Sequence, residues 1–554
     1  MSLSSPLSLP QRDRRRLGGA LWHLADLVQA AERRRSFRAK AFRTAVWSLD
    51  ELSTDLHEPA EEMTSIPGIG PGVARLIEEF RDTGSIGELE RLRVRFPAEV
   101  VRMHRLPRAT PGRLEALKLG LGVDTVADLL VAIENGAVAT IEGLGPATVD
   151  RWATILSLPP ASGAVPAHTA AVTAARLRRH LMRHLDGDEV VVAGEVRRLE
   201  EWVSRIDLVV VTEDPQPAAR FLEETAVAAT SAVEPGWALD LVTHDRIPVA
   251  VRMSDRQAAG TTLIRWTGPK THVAGLDIDG EAPFTSEDEV YQAVGRDWVP
   301  PPARHLPSDE ARQLITIGDI RGDLHLHSTW SPDGHMDIDD LAEAALQMDY
   351  RYIALTDHTI GLRFGGLDTE ALHRQRKLLE ATRSRFPHIT ILHGAEINVD
   401  RAGVPDIDDE TLGWLDFVVA GCHSHFDLDR REQTNRLVTA VRHPAVRVLA
   451  HPSGRRIGIR PGFDVDLSAV FEAAADTGTA LEVNGHRDRM DLSAENAAAA
   501  RAAGARVALN SDAHRFPELD NVAVAVGIMQ RAGLGTDGVV NALAHDDFLA
   551  WAGR

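Results

Sequence analysis

The chain has a single cysteine, Cys422, in 554 residues. A disulfide framework and a thiolate zinc site are therefore both excluded within one copy. The lone thiol reads as buried, and the compartment reads as cytoplasmic. Lysine is nearly as scarce. Only Lys40, Lys118, Lys270 and Lys377 occur, so 57 of the 61 basic residues are arginine, and lysine chemistry has few candidates. No apolar run approaches the roughly 18 residues of a membrane-spanning helix. The opening MSLSSPLSLPQRDRRR puts polar residues and proline where an export signal needs an apolar core, so secretion is not expected.

A positive balance is also missing. Net charge is −20, which does not suit a histone-style DNA binder. The average hides a gradient. From Arg12 to Arg43 ten Lys/Arg stand against three Asp/Glu. Apolar residues make up 44% of the chain, enough for packed cores and too many for general disorder. At roughly 150 residues per domain, the length predicts three or four domains.

Two proline-rich segments, LPPASGAVP (158–166) and VPPPARHLP (299–307), read as linkers. They part the chain into about 1–158, 165–298 and 316–554. The first part shows apolar spacing near 3.6 in WHLADLVQAAERR and AFRTAVWSLDEL, and reads as all helical. The middle part mixes helix with β-rich runs. The last alternates short apolar strands (YIALTD, ITILHGAEI, FVVAGC, VRVLAH, ALEVNG, VALNSD) with helical stretches, which predicts a parallel α/β fold, a barrel.

Thirteen of the 23 histidines lie between His325 and His514. Their placement matters more than their number. His325, His327 and Asp333 follow the first strand of the last part. Asp357 and His358 close YIALTDH, and Glu396 closes ITILHGAE. His423 closes FVVAGCH, His451 closes VRVLAH, and Asp512 and His514 follow VALNSD. In an α/β barrel such strand ends meet at one mouth. Six histidines and three carboxylates would converge there: His325, His327, His358, His423, His451 and His514 with Asp333, Glu396 and Asp512. Imidazole mixed with carboxylate suits zinc, manganese or iron, and nine donors fit two or three ions. His335, His373, His388, His393 and His443 lack this placement, while His425 and His486 stay open.

The segments DLHLHSTWSPDG, ALTDHT, GAEI, GCHSH, LAHP, LEVNG and NSDAH, in that order, resemble a PHP (polymerase and histidinol phosphatase) domain over about 318–554. The resemblance implies a distorted (β/α)7 barrel with a two- or three-metal phosphoesterase site. One ion would take His325, His327, Glu396 and Asp512. A second would share Glu396 and add His423 and His451. A third would take Asp333, His358 and His514. Asp357 would orient a ligand. Arg455, Arg456 and Arg489 are candidate phosphate contacts, and Asp357, Glu396 and Arg489 the expected catalytic residues.

SIPGIGPGVARLI (65–77) and IEGLGPATVDRW (141–152) each put a hydrophobic-Gly-x-Gly turn before a helix. Glycine lets a backbone come close, and helix starts offer free N–H groups. Both resemble helix-hairpin-helix motifs, which hold DNA phosphates without reading bases. Gly68, Gly70, Gly143 and Gly145 are the expected DNA contacts. A third copy at LPRATPGR (106–113) has lost its glycine pattern. Met63 to Phe80 holds no lysine, so Schiff-base lyase chemistry is not expected there.

AGEVRRLEEWVSRIDLVVV, IPVAVRM and WTGPKTH follow in order. With the flanking motifs they resemble bacterial family X DNA polymerases, which join hairpin modules, a nucleotidyltransferase palm and a PHP domain. The resemblance implies a helical domain over 1–90, a second helical domain over 91–158, an α+β palm and thumb over 165–298, a linker at 299–315 and the PHP domain over 316–554. The palm departs from the family pattern. Gly194-Glu195 replaces Gly-Ser, Arg205-Ile206-Asp207 replaces Asp-x-Asp, and Ala250 replaces the third aspartate. Glu195, Glu200 or Asp245 would stand in only from a shifted register.

The expected function is a metal-dependent phosphoesterase on DNA: 3′–5′ exonuclease, 3′-end processing or abasic-site cleavage in repair, without polymerisation. Gapped, nicked or 3′-ended duplex, held independently of sequence, is the expected partner. A phosphatase of a small phosphomonoester and a non-catalytic repair scaffold are the alternatives.

Overall fold

The computed structural model describes residues 11–32, 36–50, 60–104, 106–157, 163–185, 188–224, 228–233, 238–244, 246–278, 283–307, 310–311, 313–362 and 365–553. Most of the first expected linker (158–162) and Asp245 lie outside them. The chain forms two compact units: Met1–Val196 with Trp202–Thr267 and Ile278–Gly295, and Arg197–Glu201 with Gly268–Asp277 and Arg296–Arg554. Among the described residues no helix is long and apolar enough to cross a membrane.

The first unit opens with helices Gln11–Ala31 and Phe37–Asp50. Leu17, Leu21, Leu24, Ala25 and Val28 recur at helical spacing, so they form one buried stripe. Ala39, Phe42, Ala45, Val46 and Leu49 do the same on the second helix. Helix Pro71–Thr83 ends on Gly84, whose φ of 72° lets its N–H reach the Phe80 carbonyl at 2.7 Å.

Three turns in this unit share one geometry. In Ile66–Ile69, Leu106–Ala109 and Ile141–Leu144 the last N–H donates to the first carbonyl at 3.0 Å. The third residue has a left-handed φ in each: Gly68 at 87°, Arg108 at 61° and Gly143 at 79°. The helices beginning at Pro71, Pro111 and Pro146 follow. The middle turn therefore persists although its glycines are gone.

A five-stranded sheet completes the unit: β1 (Glu189–Ala193), β2 (Ile206–Val211), β3 (Ala228–Val233), β4 (Ala238–Thr243) and β5 (Pro248–Ser254), in the order β1-β2-β5-β4-β3. Only the β2–β5 pair is parallel. The sheet falls inside the segment (165–298) where an α+β palm is expected.

The second unit holds seven parallel strands: β6 (Gly322–Leu326), β7 (Tyr352–Leu355), β8 (Thr390–Asn398), β9 (Phe417–Gly421), β10 (Val448–Leu449), β11 (Ala480–Asn484) and β12 (Arg506–Asn510). They run in sequence order, with a helix between each consecutive pair. Just past the strand ends the His327 N–H donates to the Ala513 carbonyl at 3.0 Å, so the barrel is nearly closed. Nearly every strand residue is buried, as a sheet covered on both faces requires. The strand starts are plugged by helix His545–Ala552, where Phe548 stacks on Tyr352 at 3.7 Å. The opposite end carries the histidines.

Candidate metal centre

His325 stands in β6 and His327 just after it. His358 follows β7, Glu396 stands in β8, and His423 and His451 follow β9 and β10. Asp512 and His514 follow β12, and Asp333 reaches in from the loop after β6. Gly421 beside Glu396 has a simple cause: a Cβ there would collide with the Glu396 carboxylate and the His423 ring.

The distances group these donors. His325 Nε2 lies 3.3 Å from Glu396 Oε2 and 3.6 Å from Asp512 Oδ1. His327 Nε2 lies 3.7 and 3.4 Å from the same two oxygens. Both nitrogens are buried and make no hydrogen bond. Two ligands of one tetrahedral ion at about 2.1 Å stand roughly 3.4 Å apart, so this spacing fits a divalent cation. The other Glu396 oxygen, Oε1, lies 3.2 Å from His423 Nε2 and 3.0 Å from His451 Nε2. Asp333 Oδ2 is 3.4 Å from His514 Nε2 and 3.8 Å from His358 Nε2. His358 also turns Nδ1 to Glu396 Oε2 at 2.8 Å, which links the third group to the others. Three sets are close enough for one ion each: His325, His327 and Asp512; His358, Glu396 and His423; His327, His358 and His514. His327 thus reaches the third group as well, its ring stacked 4.1 Å from that of His514.

Burial works against charge here, yet the His423, His358 and His325 imidazoles hold the Glu396 carboxyl well below the usual range. Burial and the neighbouring His514 push His327 well down; burial and the Arg489 charge push His451 down to about 4. Both rings are then neutral at pH 7, with a lone pair free for a cation. Burial raises the Cys422 thiol to about 11, so it supplies no nucleophile.

Other side chains orient the donors. The fully buried Glu482 meets His325 Nδ1 at 2.7 Å and accepts the His451 N–H at 2.7 Å. Asn484 and Asn510 amides each donate to it at 3.0 Å. Asn398 Oδ1 meets His423 Nδ1 at 2.6 Å. Asp357 stands outside the donor groups. It accepts the Ser328 N–H at 2.7 Å, the Ser328 hydroxyl at 2.6 Å and the Gln375 amide at 2.6 Å, and so pins the strand end that carries His327. Glu482 and Asn398 escaped the sequence reading. A lone carboxylate inside the apolar strand ALEVN was the available signal.

Of the three arginines, Arg489 touches the donors, with Nε 3.2 Å from Asp512 Oδ2. Arg455 is held by the Arg489 carbonyl at 3.0 Å and Glu201 at 2.7 Å, and Arg456 by Asp488 at 2.8 Å. Three of the other histidines have partners outside the donor groups, while the His335 N–H donates to the His514 carbonyl at 2.9 Å. His393 bonds Gln375 at 3.0 Å, His443 pairs with Asp409 at 3.3 Å, and His486 pairs with Asp488 at 2.6 Å.

In the five-stranded sheet Asp207 of β2 registers with Ala250 of β5, and Ala250 with Asp240 of β4. Arg205 pairs with the buried Asp207 at 2.8 Å. Gly194, with φ at 60°, leaves room for Asp207, since a Cβ there would meet its carboxylate. Asp240, which the sequence reading did not single out, pairs with Arg252 at 3.3 Å. Glu195 accepts the Ser204 N–H at 2.6 Å and its hydroxyl at 2.8 Å. Glu200 pairs with Arg531 at 3.0 Å.

The helix-hairpin-helix domain family matches residues 14–86, and the PHP domain family matches residues 323–499. Probable phosphatases of Syntrophotalea carbinolica and Edwardsiella ictaluri are each 29% identical, covering 40% and 42% of this chain and 90% and 95% of their own. The DNA polymerase/3′-5′ exonuclease PolX of Bacillus subtilis (strain 168) is 31% identical over 561 residues, 94% of this chain and 95% of that protein. Because this last match runs nearly end to end, it makes the chain a member of the PolX family.

Proposed function

We propose that this chain is a metal-dependent phosphoesterase that removes nucleotides or blocking groups from DNA 3′ ends, and that it does not polymerise DNA. The observation that carries the first part is the pair of buried, unbonded Nε2 atoms of His325 and His327, aimed at Glu396 and Asp512. A donor set of imidazoles and carboxylates suits two or three ions of manganese, zinc or iron. Such ions supply hydroxide near neutral pH and offset charge on a phosphoryl oxygen. The chain's own part is to hold and orient. Glu396 presents one oxygen to each side of the centre, Glu482 turns His325 Nε2 inward, and Arg489 places a guanidinium beside Asp512 for the substrate phosphate. The hairpin turns and the 3′-5′ exonuclease named in the Bacillus subtilis relative support DNA as substrate. Gapped, nicked and 3′-ended duplexes are the forms proposed, in the cytoplasm.

Loss of polymerisation rests on the palm. Nucleotidyl transfer through two cations needs clustered carboxylates. Here Ala250 offers no ligand, and Arg205 takes the Asp207 carboxylate with a group that stays protonated.

The probable phosphatases, whose match covers about 40% of this chain, favour a second reading, a small phosphomonoester as substrate. One experiment separates the two. Labelled gapped, nicked and 3′-blocked duplexes are incubated with manganese, beside a chromogenic phosphomonoester. Shortened or unblocked DNA that disappears with Glu396→Ala supports the DNA reading. Hydrolysis of the small ester alone refutes it.

A further inference from the structure

Arg108 occupies a position that the two equivalent turns give to glycine. In the turn Leu106–Ala109 its φ of 61° is left-handed, a conformation that glycine adopts freely and an L-residue adopts at a cost. Nothing described in the molecule offsets that cost through its side chain. The guanidinium is exposed and, among the described residues, makes no hydrogen bond or ion pair. The turn itself is held by other means. The Leu106 carbonyl takes the Ala109 N–H at 3.0 Å, and the Pro107 carbonyl takes the Trp152 indole N–H at 2.8 Å. The Arg108 carbonyl takes an Arg113 N–H at 2.8 Å. Arg113 also donates to the Glu142 carbonyl at 3.0 Å, and its guanidinium fills the space a Cβ at Gly143 would need. Arg113 and Trp152 thus brace the middle turn against the third one. The brace fixes the backbone and leaves the Arg108 cation free at the tip.

We propose that Arg108 is a DNA-phosphate contact. Its side-chain charge takes over, in this turn, the role that close backbone approach plays in the glycine turns. The proposal rests on the reading that this chain binds DNA. A free cation on a braced turn, in a chain of net charge −20, fits a polyanion whose phosphates recur along a groove edge. An arginine kept for structure would be bonded, and glycine would serve a bare turn better.

The test uses the full-length chain and fluorescence anisotropy with a labelled gapped duplex from 50 to 200 mM salt. Arg108→Gly should weaken binding about five-fold at the low end and reduce the slope of log affinity against log salt by about one. Arg108→Lys should recover most of both. The thermal midpoint of Arg108→Gly should equal or exceed that of the wild type, because glycine relieves the backbone. Wild-type binding with an unchanged Arg108→Gly affinity and slope overturns the Arg108 assignment alone. So does a lowered midpoint that accounts for the lost binding. A wild-type chain that binds no duplex at all overturns the DNA reading itself.

Discussion

Glu482 and His325 meet at 2.7 Å, Oε1 to Nδ1, with both side chains fully buried. The carboxylate fixes the orientation of the ring, with Nε2 turned toward Glu396 and Asp512. The same carboxylate accepts the His451 N–H at 2.7 Å, so one side chain sets two donors. Glu482→Gln should keep the fold and lower metal affinity or turnover about 10- to 100-fold. Titration of metal into the chelator-stripped protein, followed by assay, checks this. Unchanged affinity would show that Glu482 does no orienting.

Glu396 and His443 should respond in opposite ways to removal. Glu396 faces five imidazoles at 2.8–3.7 Å. His443 pairs with an exposed Asp409 at 3.3 Å and accepts the Ala445 N–H at 3.3 Å. Glu396→Ala should lower phosphoester hydrolysis at least about 100-fold, since it is placed between two donor sets. His443→Ala should change stability by less than about 0.5 kcal/mol and leave hydrolysis alone. Equal losses in the two variants would contradict the central place of Glu396.

Metal-replete protein should carry two to three ions per chain by elemental analysis. Stripping them should lower the midpoint of barrel unfolding. At a free-metal concentration 100-fold above Kd, a single site contributes about 2.7 kcal/mol. Fewer than one ion per chain after metal-replete expression would sink the site.

Gly68 separates DNA from small substrates. Its φ is 87°, and a Cβ there would press on Ser48 Oγ and on Thr44 Cγ2 at 2.8 Å. Gly68→Ala should strain the turn by about 1–3 kcal/mol and reduce cleavage of gapped DNA, while hydrolysis of a chromogenic phosphoester stays at the wild-type rate. Parallel loss of both would assign Gly68 to folding instead.

Primer extension on a gapped template, with all four nucleotides and magnesium or manganese, should give no product. The assay belongs in a His325→Ala, His327→Ala background, which suppresses degradation. Robust templated extension would show that Asp207 and Asp240 suffice despite Arg205 and Ala250.

The barrel and the candidate donors were legible in the chain because all but Asp333 stand at or near the end of an apolar strand. Strand-end position is a matter of spacing, and a parallel barrel carries every strand end to one mouth. The glycine turns were legible for a similar reason: a left-handed residue leaves a glycine behind. Where the backbone is braced from outside, that mark vanishes. The turn at Leu106–Ala109 survives on Trp152 and Arg113, which lie 45 and 5 residues from their partners, so the sequence shows a third copy there without showing that its turn is kept. Which charges act on which is a tertiary matter too. Glu482 reaches His325 across 157 residues, Arg455 and Arg456 are taken by Glu201 and Asp488, and only Arg489 remains on Asp512. Spacing places a side chain on an element. Its partner depends on the neighbouring strand or loop that packing delivers, and that was decided by the fold.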